Sequence, residues 1–295
     1  VCGLEAQVTR NRFGPEKYIH GSRTMNSKNR QEPAAHATVF VLLVVFFLML
    51  WLPLGQQDFL TEHWMKVGAY LAPLVLMFLL LGRANAKGRW FRDLRLLAGI
   101  LTSAYLIHQI EEHWIDLLGR AYPLHGLLND MLRERIGESA YGAMTPATIF
   151  FVNTSLVWLP GLISILRAPR DIFPTLAMAG LVLVNGVVHL AQGMLTWSYN
   201  PGLLTAVMLS VPISIAAYLF LIKLPAVRYS HVVASIAWGV GAHVLLVAGL
   251  IASRVYDITP VGLYYSLLVG WAIVPLFAFQ NLDIEVDPEP TQPAI

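Results

Sequence analysis

Apolar residues run for the length of a membrane crossing at eight places along the chain: 37–54, 64–81, 96–118, 146–166, 172–196, 202–222, 232–252 and 259–279. At 1.5 Å rise per residue, about 20 residues span the hydrocarbon. The pattern therefore predicts an all-α, polytopic transmembrane helix bundle of about eight spans. The connectors are short, apart from segment 119–145. There Leu124, Leu127, Leu128, Met131 and Ile136 alternate with Asn129, Asp130, Arg133 and Glu134. That amphipathic spacing predicts a short interfacial helix on the non-cytoplasmic side, capping whatever the bundle encloses; a solvated loop is the alternative. Pro160 and Pro212 fall inside the fourth and sixth spans and are expected to kink them. The second span starts beside Lys66, whose long stem can carry its charge to the interface.

Composition agrees with a bilayer environment: 56% of the residues are hydrophobic and 13% charged, with a mean hydropathy of +0.60. The basic residues sit at span ends: Arg83, Lys87, Arg89, Arg92 and Arg95 after the second span, Arg167 and Arg170 after the fourth, Lys223 and Arg228 after the sixth. All fall on the side of the basic N-terminal stretch, so both termini are expected in the cytoplasm of a multi-pass cell-membrane protein. Residues 1–35 read as a disordered basic extension, 36–281 as the membrane domain, and 282–295, with Asp283, Glu285, Asp287 and Glu289, as a disordered acidic tail. The first apolar run is too long for a signal h-region and lacks a small-x-small site, so it reads as an uncleaved span. The lone Cys2 excludes an internal disulfide. The basic residues sit at the membrane edges, which points away from a nucleic-acid surface and leaves membrane lipids as the expected partners.

The third span carries His108-Gln109-Ile110-Glu111-Glu112-His113. Each carboxylate inside a bilayer costs on the order of 3 kcal/mol on insertion scales, so such groups must be paired, protonated or metal-bound. At 100° per residue Glu112 lies about 40° from His108 and Glu111 about 60° to the other side, with Tyr105 and Asp116 on the same face, whereas His113 points about 140° away. A second stripe, Asn185, His189, Gln192 and Thr196, lines one side of the fifth span and leads into Tyr199-Asn200-Pro201-Gly202. Counted from the outer span ends, Glu112 and His189 lie about 9 and 10 Å deep. Two polar stripes at matched depth are expected to face each other across a cavity. His243 can join them or bond a carbonyl as a core imidazole; Glu62 and His63 belong to the interface.

The order and spacing of HxxEE (His108, Glu111, Glu112), NxxxH (Asn185, His189) and YxPG (Tyr199, Pro201, Gly202) resemble the HXXEE family of bacterial integral membrane proteins. The resemblance spans about 96–202 and implies a site without implying an activity. The HExxH motif is absent, an inverted HxxEH would need histidine where Glu112 stands, and the di-iron ExxH order is reversed. His108, Glu112, His189 and Asn185 are the expected ligands of a divalent transition metal, zinc, iron or manganese. Glu111, Glu112 and Tyr199 are the candidates for acid/base chemistry on an amphiphilic, lipid-like substrate from the outer leaflet. The alternatives are a proton- or ion-coupled transporter or sensor using the same groups as a relay, and purely structural polar glue. No inverted repeat supports the transporter.

Overall fold

The structure, a computed structural model, describes residues 41–42, 44–45, 47–49, 51–81, 93–168 and 170–279. The expectations for residues 1–35, for the basic residues 83–92 and for the tail 282–295 lie outside the described residues. Within them the chain is helical, with no strand. A helical stretch between 41 and 54 (α1) leads to α2 (Asp58–Leu81) and α3 (Leu94–His113). The short α4 (Pro123–Ile136) follows, then α5 (Pro146–Arg167), α6 (Phe173–Thr196), α7 (Leu203–Leu221), α8 (Tyr229–Val255) and α9 (Val261–Leu276).

Five of these, α2, α5, α6, α7 and α8, are long and apolar enough to cross a membrane; α9 is apolar but shorter. The 20 residues of α3 are also long enough, and its histidines and glutamates make it less apolar. Helices α5 and α6 are mostly buried, whereas α2, α7 and α8 leave most of their length uncovered. The uncovered side chains are large and apolar, among them Phe78, Met208, Leu219 and Val244. Such a surface is stable against lipid rather than water.

Helices of this kind gain no hydrophobic advantage from leaving lipid for one another, so close backbone packing and hydrogen bonds hold them together. The α6–α8 contact shows both. A Cβ on Gly180 would lie 2.3 Å from Ser235 O, and one on Gly239 would lie 2.8 Å from Gly180 O. Ser235 Oγ also lies 2.8 Å from Tyr218 Oη of α7. Helices α8 and α9 are joined reciprocally, Trp238 Nε1 donating to Trp271 O at 3.0 Å and Trp271 Nε1 to Trp238 O at 3.1 Å.

The prolines inside the fourth and sixth spans are accommodated by π turns, Thr154–Trp158 in α5 and Ala206–Ser210 in α7. Proline has no N–H and its ring collides with the carbonyl four residues back, Leu156 for Pro160 and Met208 for Pro212. Widening the helix just before each ring relieves that collision.

Two expected boundaries change by five residues or more. Helix α2 begins at Asp58, six residues before the apolar run, because Asp58, Glu62 and Lys66 make its first turns polar without breaking the helix. Helix α3 stops at His113 rather than 118. The N–H groups of Trp114 and Ile115 both reach Ile110 O, at 2.9 and 3.0 Å. Asp116 Oδ1 then accepts from Leu118 N at 3.0 Å and Arg120 N at 2.8 Å. A short acidic side chain thus offers the backbone an alternative to the helix, and Gly119 at φ +75 turns the chain back. Asp116 therefore leaves the polar face of α3.

The amphipathic segment does form a helix, α4, opened by Pro123 at its first position. Its buried Asn129 clamps it to the following loop: Oδ1 accepts from Gly142 N (3.1 Å) and Met144 N (3.2 Å), and Nδ2 donates to Met144 O at 3.0 Å. Leu124 and Leu128 face into a cavity of the bundle, which α4 covers.

Gly180→Val is expected to destabilise the purified protein by about 1–3 kcal/mol, the usual cost of overpacking a tight contact. A thermal melt of the detergent-solubilised protein checks this; an unchanged midpoint would show that the α6–α8 contact carries little.

Candidate metal centre

The polar stripes of α3 and α6 meet. Glu112 Oε1 lies 2.9 Å from His189 Nε2 and 3.4 Å from His108 Nε2. One ligand atom from each of His108, Glu112 and His189 falls within 4.8 Å of the others, and all three residues are buried. Counting depth from the ends of the spans did not place this contact, since Glu112 stands in the last turn of α3. What aligns it is the 197–202 turn, which folds back over the end of α3.

Gly202 is the point of closest approach in that turn. At φ +93 it adopts a conformation suited to glycine, and a Cβ there would lie 2.7 Å from His189 Cε1, 2.8 Å from His108 Cε1 and 3.0 Å from Glu112 Cγ. Any side chain at this position would displace the ligands themselves.

The far nitrogens of both histidines are tied. Asn200 Nδ2 donates to His189 O at 3.0 Å, which turns its Oδ1 toward His189 Nδ1 at 2.8 Å. His189 therefore carries a proton on Nδ1, and in the neutral ring the Nε2 lone pair is aimed at Glu112. Thr205 Oγ1 donates to Glu111 Oε2 at 2.5 Å and so accepts from His108 Nδ1 at 2.7 Å. The Nε2 lone pair of His108 is likewise turned inward. Carboxylate and imidazole lone pairs thus converge on one point, the arrangement in which outer hydrogen bonds orient the ligands of a metal.

Asn185 and His243 extend the cluster. Asn185 Nδ2 lies 2.7 Å from His108 Nε2, and Asn185 Oδ1 lies 3.3 Å from His243 Nε2. His243 Nδ1 donates to Gly239 O at 2.9 Å, so its Nε2 also presents a lone pair. An amide between two lone pairs can donate to one of them only. Turning the amide by 180° leaves its shape unchanged, gives His243 its donor and points Oδ1 at the cluster.

Glu111 and Tyr199 are engaged at the edge of this arrangement. Glu111 Oε1 accepts from Tyr199 Oη (2.7 Å) and Leu204 N (3.0 Å), and Oε2 from Thr205 N (2.7 Å). It caps the N-terminus of α7, where unpaired N–H groups and the helix dipole favour a carboxylate. Burial, with the Glu111 carboxylate beside it, holds the Tyr199 phenol well above its ordinary pKa. Asp116 Oδ2, 2.6 Å from Arg120 Nη2, anchors the Arg120 guanidinium, which lies over the Tyr199 ring at 5.8 Å.

His113 turns away from His108, its ring 5.1 Å from Trp64 and its Nε2 3.5 Å from Glu112 Oε2. Of the second stripe, Asn185 and His189 are buried, Gln192 is half-buried and Thr196 is exposed. Tyr105 packs edge-on against His108. Glu62 is exposed, and His63 rests on Phe59. Three residues were not singled out from the sequence: Thr205, Asn200 and the buried Gln109, which donates to Asn153 Oδ1 (2.9 Å) and accepts from Trp158 Nε1 (3.0 Å). Asn200 had a signal in its place inside the YxPG turn; Thr205 had none.

The helices and the cluster define a class, a polytopic helical membrane bundle with a buried His108–Glu112–His189 group that could bind a metal. Within it, residues 100–217 match the family described as protein of unknown function with HXXEE motif, a match that runs from α3 into α7 and covers the whole cluster except His243. Comparison with curated proteins and with solved structures finds no match.

The Asp116 carboxyl is pushed up by burial, but the N–H and guanidinium of Arg120 and the N–H of Leu118 outweigh this and hold it below the ordinary carboxylate range. A depressed folded-state pKa adds stability above the unfolded value, and that stability is lost as pH falls through the folded one. Asp116→Asn is therefore expected to lower the melting temperature at neutral pH, with the gap to wild type narrowing as pH falls below about 4. A constant gap across that range would exclude the charge as its source.

Proposed function

We propose that the protein is a membrane-embedded metalloenzyme in which His108, Glu112 and His189, with Asn185, hold one divalent transition metal beside an apolar cavity that takes a lipid-like substrate. The donor count in the cluster carries this reading. With Nδ1 of His108 and His189 each committed to an oxygen, the Nε2 atoms of the neutral rings and Glu112 face one another as acceptors. A cation satisfies them together, and the amide setting that frees His108 Nε2 adds Asn185 Oδ1 as a fourth donor. Mixed imidazole and carboxylate ligands suit zinc, iron or manganese.

A bound metal supplies Lewis acidity toward an oxygen of the substrate or of water. The chain does the rest. Glu112 Oε2, facing His113 rather than the other ligands, is the oxygen left to take a proton. Asn185 and His243 line the cavity beside Glu112 and His189 and can hold the polar head of a substrate. Thr205 fixes the ring of His108, Glu111 fixes Thr205, and Tyr199 fixes Glu111, so Glu111 and Tyr199 act as positioning residues. Arg167, Arg170, Lys223 and Arg228 lie at the bundle end opposite α4, which supports a cytoplasmic location for that end and for both termini, with substrate drawn from the outer leaflet.

Elemental analysis of the protein purified without chelators tests the reading. About one transition-metal equivalent per chain is expected, lost in His108→Ala, Glu112→Ala and His189→Ala. Thr205→Val should weaken binding by about 10–100-fold, as outer-sphere changes do, with Thr205→Ser retaining it. Metal-free wild type, with the three alanine variants destabilised only by their lost hydrogen bonds, would reduce the cluster to hydrogen-bonded packing.

A further inference from the structure

Two cavities flank the cluster, and their linings differ. The first, about 190 Å³, has Glu112, His189, Asn185 and His243 on its polar side, with apolar walls that include Leu156 and Leu246. Val188 of α6 and Val247 of α8 also line it, and they are 46% and 52% exposed on helices whose uncovered surface is apolar. This cavity therefore opens sideways, toward lipid, between α6 and α8. Toward the other end of the bundle the same pair of helices closes tightly at Gly180 and Gly239.

The second cavity, about 270 Å³, is lined by Thr61, Glu62, Tyr122 and His125 among others. Glu62 belongs to the polar first turns of α2 and is exposed, as is Tyr122 in the chain leading into α4. Ionisable and hydroxyl groups at the end of a membrane bundle belong to water, so the mouth of this vestibule, at Glu62 and Tyr122, is aqueous, while Trp64, Met65 and Ile149 make its inner walls apolar. His113 and Ile149 line both cavities. His113 Nε2 is 3.5 Å from Glu112 Oε2, so the partition between the vestibule and the cluster is a side chain already in contact with it.

Resting on the metal-centre reading, we infer that the site joins reactants from two phases. A long-chain amphiphile with an oxygen-bearing head enters laterally between Val188 and Val247. A small water-borne co-reactant enters through the vestibule past Glu62, with His113 as the gate. A packing cluster needs neither opening, and a site acting on water-soluble substrates alone would not need the lateral one. Neither His113 nor the vestibule residues belong to the HxxEE, NxxxH or YxPG motifs.

Obstructing each opening separately tests this in lipid nanodiscs. One readout is photolabelling of Leu156 and Leu246 by a diazirine-bearing long-chain fatty alcohol, mapped by mass spectrometry. The other is the rate at which protein grown without zinc takes up Zn²⁺ from solution. Val188→Trp and Val247→Trp, both at exposed positions, should each cut the labelling about tenfold, or about 1.4 kcal/mol, and leave zinc uptake unchanged. Glu62→Trp should slow uptake about tenfold and leave the labelling unchanged. Leu219→Trp, on the lipid-facing side of α7, should alter neither.

A lateral plug that slows both readouts equally would show one shared entrance and overturn the inference. So would labelling and uptake that no plug affects. Final zinc content, measured in every variant, separates the two failures: a full complement with insensitive plugs defeats the two-phase route alone, whereas wild type that never binds zinc defeats the metal centre, with the alcohol labelling still readable.

Discussion

Two adjacent carboxylates in a bundle surrounded by lipid are the constraint from which the rest of the structure follows. Each needs compensation worth several kcal/mol where no water can supply it. Successive residues on a helix point about 100° apart, so one partner cannot serve both. Glu111 is satisfied by the start of α7, through Leu204 N, Thr205 N, the Thr205 hydroxyl and Tyr199 Oη. Glu112 lies between the imidazoles of His108 and His189; with their Nε2 lone pairs turned toward it, its compensation is the proposed cation. The first pairing fixes α7 against α3 and the second fixes α6 against α3. Three helices are thereby held by two side chains.

The turn between α6 and α7 carries both solutions. Tyr199 reaches Glu111, Asn200 orients His189, and Gly202 lets the backbone pass over the rings of both histidines. The YxPG motif thus reads as a support for the HxxEE and NxxxH residues rather than a separate feature. Thr205 links the two halves, since the hydroxyl that donates to Glu111 also accepts from His108. The two glutamates therefore divide the work: Glu111 builds the scaffold and Glu112 faces the cavity.

Much of this was legible in the sequence because the bilayer penalises error so heavily. Apolar runs of crossing length lie within every span, and polar residues recurring at three and four positions reveal which face of α3 and α6 avoids lipid. The amphipathic spacing of Leu124, Leu127 and Leu128 gave away α4 for the same reason. Less visible were features set by local backbone competition. The end of α3 depends on the Asp116 side chain and Gly119, which no hydropathy pattern registers, and without it the depth of Glu112 is miscounted. The engagement of Glu111 with α7 was hidden because two of its four partners are backbone N–H groups, which carry no residue identity, and a third is the Thr205 hydroxyl. Thr205 was hidden because a hydroxyl in a membrane helix usually bonds its own helix, and only the fold brings it to His108.

The central claim is that Nε2 of two histidines and a carboxylate oxygen of Glu112 converge on a single cation. X-ray absorption spectroscopy of the metal-loaded protein in detergent reports on that directly. The account predicts imidazole scattering from two histidines and a small coordination number, with nitrogen and oxygen ligands at about 2.0–2.2 Å. A six-coordinate, all-oxygen shell without imidazole scattering would contradict it, because the cation would then lie elsewhere and His108, Glu112 and His189 would be bonded only to one another.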